Sequence, residues 1–188
     1  MNARLKQCTA IPAFLLAVFL VGIIDQATKD ALKVGHLLRT IAAAPSVNDG
    51  TTRSAEVSEN ELNAYIAYRL GQEKASVVKR LTVDLLENNH IQGKISFDAQ
   101  ALKLDQLLGD NLDFDFKGIV FTRNGAARLA LIALELCGQP VKPQVFDFVI
   151  HTASLIAHQE SNSIDDWYEL PKGIKEILIG RAKAVVYY

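Results

Sequence analysis

The chain has 188 residues, 49% of them hydrophobic, and its 20 basic and 21 acidic side chains leave a formal net charge of −1. No basic run is interleaved with aromatic residues, which argues against nucleic acid as a partner because backbone phosphates require concentrated positive charge. The two cysteines, Cys8 and Cys137, are too far apart in sequence for a metal motif and predict no disulfide. Cys137 ends an apolar run, and we expect it to be a small buried residue.

The first feature along the chain is an uncharged N-terminal run, preceded by basic residues, whose apolar core Ile11–Ile24 has 14 residues. This is shorter than the about 20 residues of a membrane-spanning helix and falls within the roughly 7–15 residues of a signal-peptide core. Cleavage after Gly22 or Ala27, however, would place a large or charged residue at the −3 position. The sequence therefore favours an uncleaved signal-anchor over residues 1–24, with a cleaved signal and a buried core helix as the alternatives.

A spacer and the start of the domain follow. Apolar spacing predicts a helix over Asp25–Ala44, and the polar segment Pro45–Arg53 is typical of a linker. Residues 25–57 are thus predicted to separate the membrane from one exported domain, residues 58–188. The pair Ser58 and Glu61 forms a capping box, which predicts the start of a helix that Gly71 ends.

The rest of the chain alternates with a period of two residues, which is typical of strands. Gly118 predicts a bulge after which the apolar face switches to Phe121, and Asn124-Gly125 predicts a tight turn. Pro143 begins a helix that runs to about His158. The fold class is therefore α+β: a curved antiparallel sheet of about six strands packed on one or two long helices, preceded by an N-terminal membrane-inserting helix. Strands are predicted at 81–85, 91–99, 112–121, 128–136, 174–179 and 182–188.

Polar clusters offer weak candidates for chemistry. His151 and His158 share a helical face with Asp147 and Ser154, but two turns of helix separate the histidines by about 10 Å, too far to bind one metal jointly. We interpret this face as solvated, and the carboxylate pairs Asp113/Asp115 and Asp165/Asp166 likewise. Since no nucleophile, phosphate-loop or metalloprotease motif occurs, we expect a non-enzymatic protein with no catalytic residue, no metal and no cofactor.

The aromatic pair Trp167-Tyr168 has two interpretations: a contact for a ligand or a membrane interface, or a plug at one end of the core.

The layout resembles small bacterial envelope proteins whose soluble part is a half-barrel of the tubular lipid-binding, or bactericidal/permeability-increasing, type. The resemblance covers about residues 55–188, and the chain is shorter than a full tubular module. It is carried by the capped helix Ser58–Leu70, the hairpin Leu81–Phe97, the strand pair Leu112–Leu136, the helix Pro143–His158 and the segment Tyr168–Gly173 that leads into Ile174–Tyr188.

This resemblance implies a membrane-anchored envelope protein that binds or shuttles an acyl lipid on the periplasmic or extracytoplasmic side. The doubly apolar strand 128–136 and the apolar helix face supply a surface for a lipid tail, worth about 0.8 kcal/mol per buried CH₂. The alternative is a structural or interaction protein of the envelope whose sheet docks a protein partner. The apolar groove is predicted to be lined by Phe114, Phe116, Leu129, Leu131 and Val149.

Overall fold

The computed structural model describes residues 11–44, 52–73, 77–157 and 163–188, with side chains from residue 26 onward except those of residues 107, 108 and 157. The fold is α+β with a curled antiparallel sheet, as predicted. The helices are α1 (Ile11–Ala43), α2 (Glu59–Gln72), α3 (Asp105–Leu108) and α4 (Pro143–Ala157). The strands are β1 (Ser54–Ser58), β2 (Val78–Leu85), β3 (His90–Asp98), β4 (Asn111–Arg123), β5 (Ala126–Leu136), β6 (Gln139–Pro140), β7 (Tyr168–Glu169), β8 (Glu176–Gly180) and β9 (Lys183–Tyr187).

The larger sheet has the order β2-β3-β4-β5-β6, and β7 also pairs with β5. The predicted turn is confirmed, because Asn124 (φ 51°) and Gly125 (φ 75°) form a two-residue hairpin with the left-handed backbone that such turns require. The register also shifts between Lys117 and Gly118, but the extra residue is Ile132 of β5. The predicted switch of face is wrong: Phe121 is exposed, because the bulge lies in the partner strand and leaves the alternation of β4 intact.

A second, three-stranded sheet of order β1-β9-β8 corrects the prediction of one sheet of about six strands. The strand β1 was not predicted, since its residues are polar or small apart from the buried Val57. It pairs with β9, where Ser58 lies opposite Lys183, so its partner is distant in sequence. Cys137 is a further correction, because it is exposed in the turn between β5 and β6.

The C-terminal part of α1 packs on the small sheet. Val34 and Ile41 join Val57, Ile174 and Val186 in a second apolar cluster. The segment predicted as a spacer, 25–57, therefore contributes to the core of the domain.

The predicted membrane-inserting segment, Ile11–Ile24, is helical and continuous with the rest of α1. Its side chains lie outside the described residues. Within the part of the chain that the structure describes, no helix is long and apolar enough to cross a membrane.

The helix α2 closes one edge of the larger sheet. Its predicted capping box is confirmed, with reciprocal hydrogen bonds between Ser58 and Glu61. The side-chain amide of Asn63 donates to the carbonyl of Val83 (2.7 Å) and accepts from its N–H (2.8 Å). The Glu59 carboxylate accepts the N–H of Leu85 (2.7 Å). Polar side chains thus satisfy the free edge of β2, which would otherwise leave backbone groups unpaired.

Candidate functional site

The five predicted groove residues come together in one apolar cluster on the inner face of the larger sheet. Phe114 and Phe116 alternate along β4, where they lie opposite Leu136 and Leu134 of β5. The structure places the five as follows: Phe114 and Phe116 on β4, Leu129 and Leu131 on β5, and Val149 on α4, all within or against this cluster.

Burial differs sharply among the five. Phe114, Phe116 and Val149 are buried, whereas Leu129 and Leu131 are only half-buried. Solvent access to the predicted groove therefore lies on the side of β5.

Aromatic rings fill the space beneath α4. Phe146 of α4 packs edge-to-face against Phe114, with ring centroids 4.9 Å apart, and against Phe97 at 5.9 Å. The Phe97 and Phe114 rings are also edge-to-face at 6.0 Å. Such pairs add to the burial of apolar area. At Phe114 the interface between sheet and helix is consequently a packed core.

Two glycines within strands leave room for the side chains of groove residues close to the backbone of the sheet. A Cβ on Gly93 would lie 2.3 Å from the Thr82 carbonyl oxygen and 2.7 Å from the Phe116 ring. A Cβ on Gly118 would lie 2.6 Å from the side chain of Leu129. Glycine inside a strand often marks such a close approach. A glycine within a predicted strand is therefore a sequence signal for a large side chain beside it, here Phe116 at Gly93 and Leu129 at Gly118.

Beside its core-facing side, α4 exposes a second group of apolar side chains, of which sequence reasoning missed Phe148 and Leu155. Phe148 is 59% exposed and Leu155 is 61% exposed, seven residues apart and so on one side of the helix. Val145 and Ile156 are exposed beside them. We call these four residues the outer stripe of α4. On β5, the bulged Ile132 is 59% exposed as well. The apolar residues of α4 cover more than one side of the helix, and the sequence pattern does not show which of them the sheet leaves exposed.

The outer edge of β5 is the second open feature. The strand β7 pairs with its residues Ala126 and Ala127, and β6 pairs with Glu135 and Leu136. Among the described residues, no strand pairs with the outer edge of β5 over residues 128–133. This edge adjoins the half-buried Leu129 and Leu131.

Asp147 does not lie on a solvated face, in contrast to the prediction. Its carboxylate accepts hydrogen bonds from the Ser163 hydroxyl and from the N–H of Ile164, each at 3.0 Å. The Tyr168 hydroxyl donates to the Ser163 carbonyl at 2.8 Å. Partial burial, followed by the charges of Asp166 and Asp147, raises the pKa of Tyr168 above its ordinary value. Asp147 therefore anchors the segment that precedes β7.

The other polar candidates are on the surface. Asp115 forms an ion pair with Lys94 at 2.6 Å, and its hydrogen bond raises the pKa of that lysine. Asp113 accepts a hydrogen bond from Ser96. His151 is exposed, and His158 lies outside the described residues. In the described part of the chain, no three histidine, cysteine or carboxylate side chains form a group that could hold a metal ion.

Together these features define the class: an α+β protein with a curled antiparallel sheet, two apolar clusters, and exposed apolar side chains along α4 and β5. No protein-family model matches the chain, and no match was found among curated proteins or solved structures.

Proposed function

We propose that this chain is a non-enzymatic, membrane-anchored envelope protein whose domain binds or shuttles a lipid or another apolar ligand. In this proposal Ile11–Ile24 is the anchor, and the C-terminal domain lies on the periplasmic or extracytoplasmic side. The observation that carries the proposal is that α4 has more apolar residues than the core uses: Phe146 and Val149 complete the core, while Phe148 and Leu155 are exposed.

The outer stripe of α4 favours an apolar contact. Contiguous exposed apolar side chains mark binding surfaces in soluble domains. An acyl chain that covers such a stripe gains about 0.8 kcal/mol for each buried CH₂. The stripe therefore supports a lipid tail or a bilayer surface as its partner.

The side of β5 supports a path for the acyl chain. Phe114 is fully buried against Phe146, so a ligand has no room there without displacing α4. Leu129 and Leu131 keep solvent access, and Ile132 beside them is exposed. We infer that the tail contacts the predicted groove from this side. The resemblance to tubular lipid-binding half-barrels supports the same chemistry.

The test is mass spectrometry of lipid that co-purifies with the full-length chain in a mild, uncharged detergent. We expect bound lipid in the wild type, and a several-fold loss in the variant Phe148→Ser/Leu155→Ser. The matched control is Leu32→Ser/Leu178→Ser, which removes two exposed leucines elsewhere. Lipid held only by the anchor would be equal in all three proteins, and that result would contradict binding by the domain.

Leu131→Trp separates a ligand site from a filled core. If Leu131 borders ligand space, the indole enters that space, lipid is lost and the melting temperature is retained. If the site is filled, overpacking costs about 1–3 kcal/mol and no lipid is present at any stage. Both quantities are measured on one purified variant.

A second candidate function is an envelope interaction protein whose sheet docks a protein partner. The open edge of β5 over residues 128–133 favours it, because an unpaired edge can accept an additional strand. The variant Ile132→Lys places a charge at this edge. Loss of a protein cross-linked to the wild type in membranes, without loss of lipid, would support this function over lipid binding.

A further inference from the structure

Two arginines and the single tryptophan of the chain cluster on the outer face of the β4–β5 hairpin. Arg128 lies opposite Phe121, and Arg123 is two residues further along the same face of β4. Pairing of Ala127 with Tyr168 places Trp167 beside Arg128. The guanidinium carbon of Arg123 is 4.3 Å from the centre of the Trp167 ring, and that of Arg128 is 5.4 Å from it. Both cations therefore stack against one indole.

The positive charge of this cluster has no anionic partner in the described part of the chain. Neither Arg123 nor Arg128 takes part in any ion pair there. The Nε atom of Arg128 is buried and has no hydrogen-bond acceptor. A buried donor without a partner is costly, so this N–H calls for an acceptor from outside the described residues.

The carboxylates of the neighbouring loop are directed elsewhere. Asp147 accepts from Ser163 and Ile164, and Asp166 accepts the N–H of Ser163 at 2.8 Å. Each guanidinium presents a planar set of N–H donors of the kind that recognises a phosphate through paired N–H···O bonds, and no described carboxylate is paired with either group. The cluster thus has the chemistry of a phosphate site.

We propose that Arg123 and Arg128, supported by Trp167, bind the phosphate of an anionic phospholipid headgroup. This inference rests on the proposed lipid-binding function and names the ligand class. Arg128 and Leu129 are adjacent in β5 and face opposite sides of the sheet, so the headgroup and the acyl chain meet around the edge of β5 that no described strand covers. Phe121 and Tyr168, 44% and 41% exposed, flank the cluster. Aromatic side chains of this kind are enriched where protein meets the headgroup region of a bilayer.

The experiment uses the fluorescence of Trp167, the only tryptophan in the sequence. The full-length chain in micelles of an uncharged detergent is titrated with dihexanoyl phosphatidic acid, with dihexanoylglycerol, and with inorganic phosphate. The first two ligands have the same acyl chains and differ in the phosphate. We expect phosphatidic acid to change the Trp167 fluorescence at concentrations about tenfold lower than the other two ligands. A charge-assisted pair of hydrogen bonds accounts for a difference in affinity of this size.

Variants assign the effect to the two arginines. Arg123→Gln/Arg128→Gln should weaken phosphatidic acid binding about tenfold, to the level of dihexanoylglycerol. Arg123→Gln alone changes an exposed residue, so it keeps the inference testable if the double variant fails to fold. Arg181→Gln is the control, because Arg181 is exposed and paired with Glu87. Its affinity should equal that of the wild type.

The outcomes separate this inference from the proposed function. Equal binding of phosphatidic acid and dihexanoylglycerol, unchanged in the variants, would overturn the headgroup site and leave apolar binding intact. Inorganic phosphate that binds as tightly as phosphatidic acid would make this a site for a free anion and overturn the lipid assignment. No response to any ligand overturns the headgroup site, and the absence of co-purified lipid would in addition overturn the proposed function.

Discussion

The helices α2 and α4 both pack on the larger sheet, but α2 is bonded to a strand edge by polar side chains and α4 buries large apolar ones. α2 has no buried residue: Asn63 bonds both backbone groups of Val83, and only the partly buried Leu62 and Ile66 pack against the apolar cluster. α4 contacts the sheet through the buried apolar residues Phe146 and Val149. Its other face carries Phe148 and Leu155, which the described contacts of the fold do not use.

The contrast between α2 and α4 indicates which side of the molecule binds a partner. α2 ends the sheet at β2 because the amide of Asn63 takes the place of a strand's peptide group opposite Val83. α4 and β5 expose large apolar side chains, and among the described residues no strand pairs with the outer edge of β5 over residues 128–133. Surface of this kind persists in a folded domain when a ligand or partner covers it, so we assign binding to this side of the molecule.

The largest expected effect compares the two faces of α4. Phe146→Ala removes a ring from the aromatic core and should lower the free energy of unfolding by about 3–5 kcal/mol. Phe148→Ala removes an exposed ring and should change it by less than about 0.5 kcal/mol. Chemical denaturation of both variants measures the difference. Equal losses would mean that Phe148 is buried in the folded protein and that the outer stripe is not available to a ligand.

The next effect tests the closed edge of β2. Asn63→Ala leaves the N–H and carbonyl of Val83 without their partners and should destabilise the fold by about 1–3 kcal/mol. The control is Asn60→Ala, an exposed asparagine on the same helix. A loss no greater than in this control would show that water replaces the amide and that α2 does not close the edge.

A smaller effect depends on pH. Partial burial acts to raise the pKa of Glu61, but hydrogen bonds from Lys33 and Ser58 outweigh it, and the pKa is lowered. The ionised form therefore stabilises the fold above the unfolded pKa of about 4.3, and this contribution is lost as the pH falls through the lower folded pKa. Glu61→Ala should cost about 1 kcal/mol at neutral pH, mainly through the capping box.

Denaturation curves between neutral pH and about pH 3 check this prediction, because the ionised carboxylate should be lost over that range. The exposed Glu73→Ala is the control. A loss of unfolding free energy in Glu61→Ala that does not change with pH would contradict a role for the charge of Glu61.

The smallest effect concerns His151. Since it is exposed and we propose no catalysis, His151→Ala should change stability by less than about 0.5 kcal/mol and leave lipid and metal content unchanged. The same prediction holds for His158, which lies outside the described residues. A metal or a function lost in either variant would contradict the proposal of a non-enzymatic protein.

Local signals predicted a large part of the fold. The capping box of Ser58, the Asn124-Gly125 turn and the start of α4 at Pro143 each depend on residues close in sequence, and the structure confirms them. The grouping of Phe114, Phe116 and Leu131 followed from period-two alternation combined with antiparallel pairing.

Long-range pairing could not be predicted in the same way. β1 forms only because β9 supplies its hydrogen bonds from the far end of the chain. Asp147 has its partners 16 and 17 residues later, in a loop without a sequence signature. The burial difference between Phe114 and Leu131 likewise depends on where Phe146 lies in three dimensions, which no periodicity specifies.

The central claim is that the domain itself, and not only the N-terminal segment, contacts lipid. Cross-linking tests it most directly: the full-length chain is placed in vesicles that contain a phospholipid with a photoreactive acyl chain, illuminated, digested and sequenced by mass spectrometry. We predict adducts on the outer stripe of α4 and on Leu131 and Ile132 of β5, in addition to Ile11–Ile24. Adducts confined to Ile11–Ile24 would contradict the account.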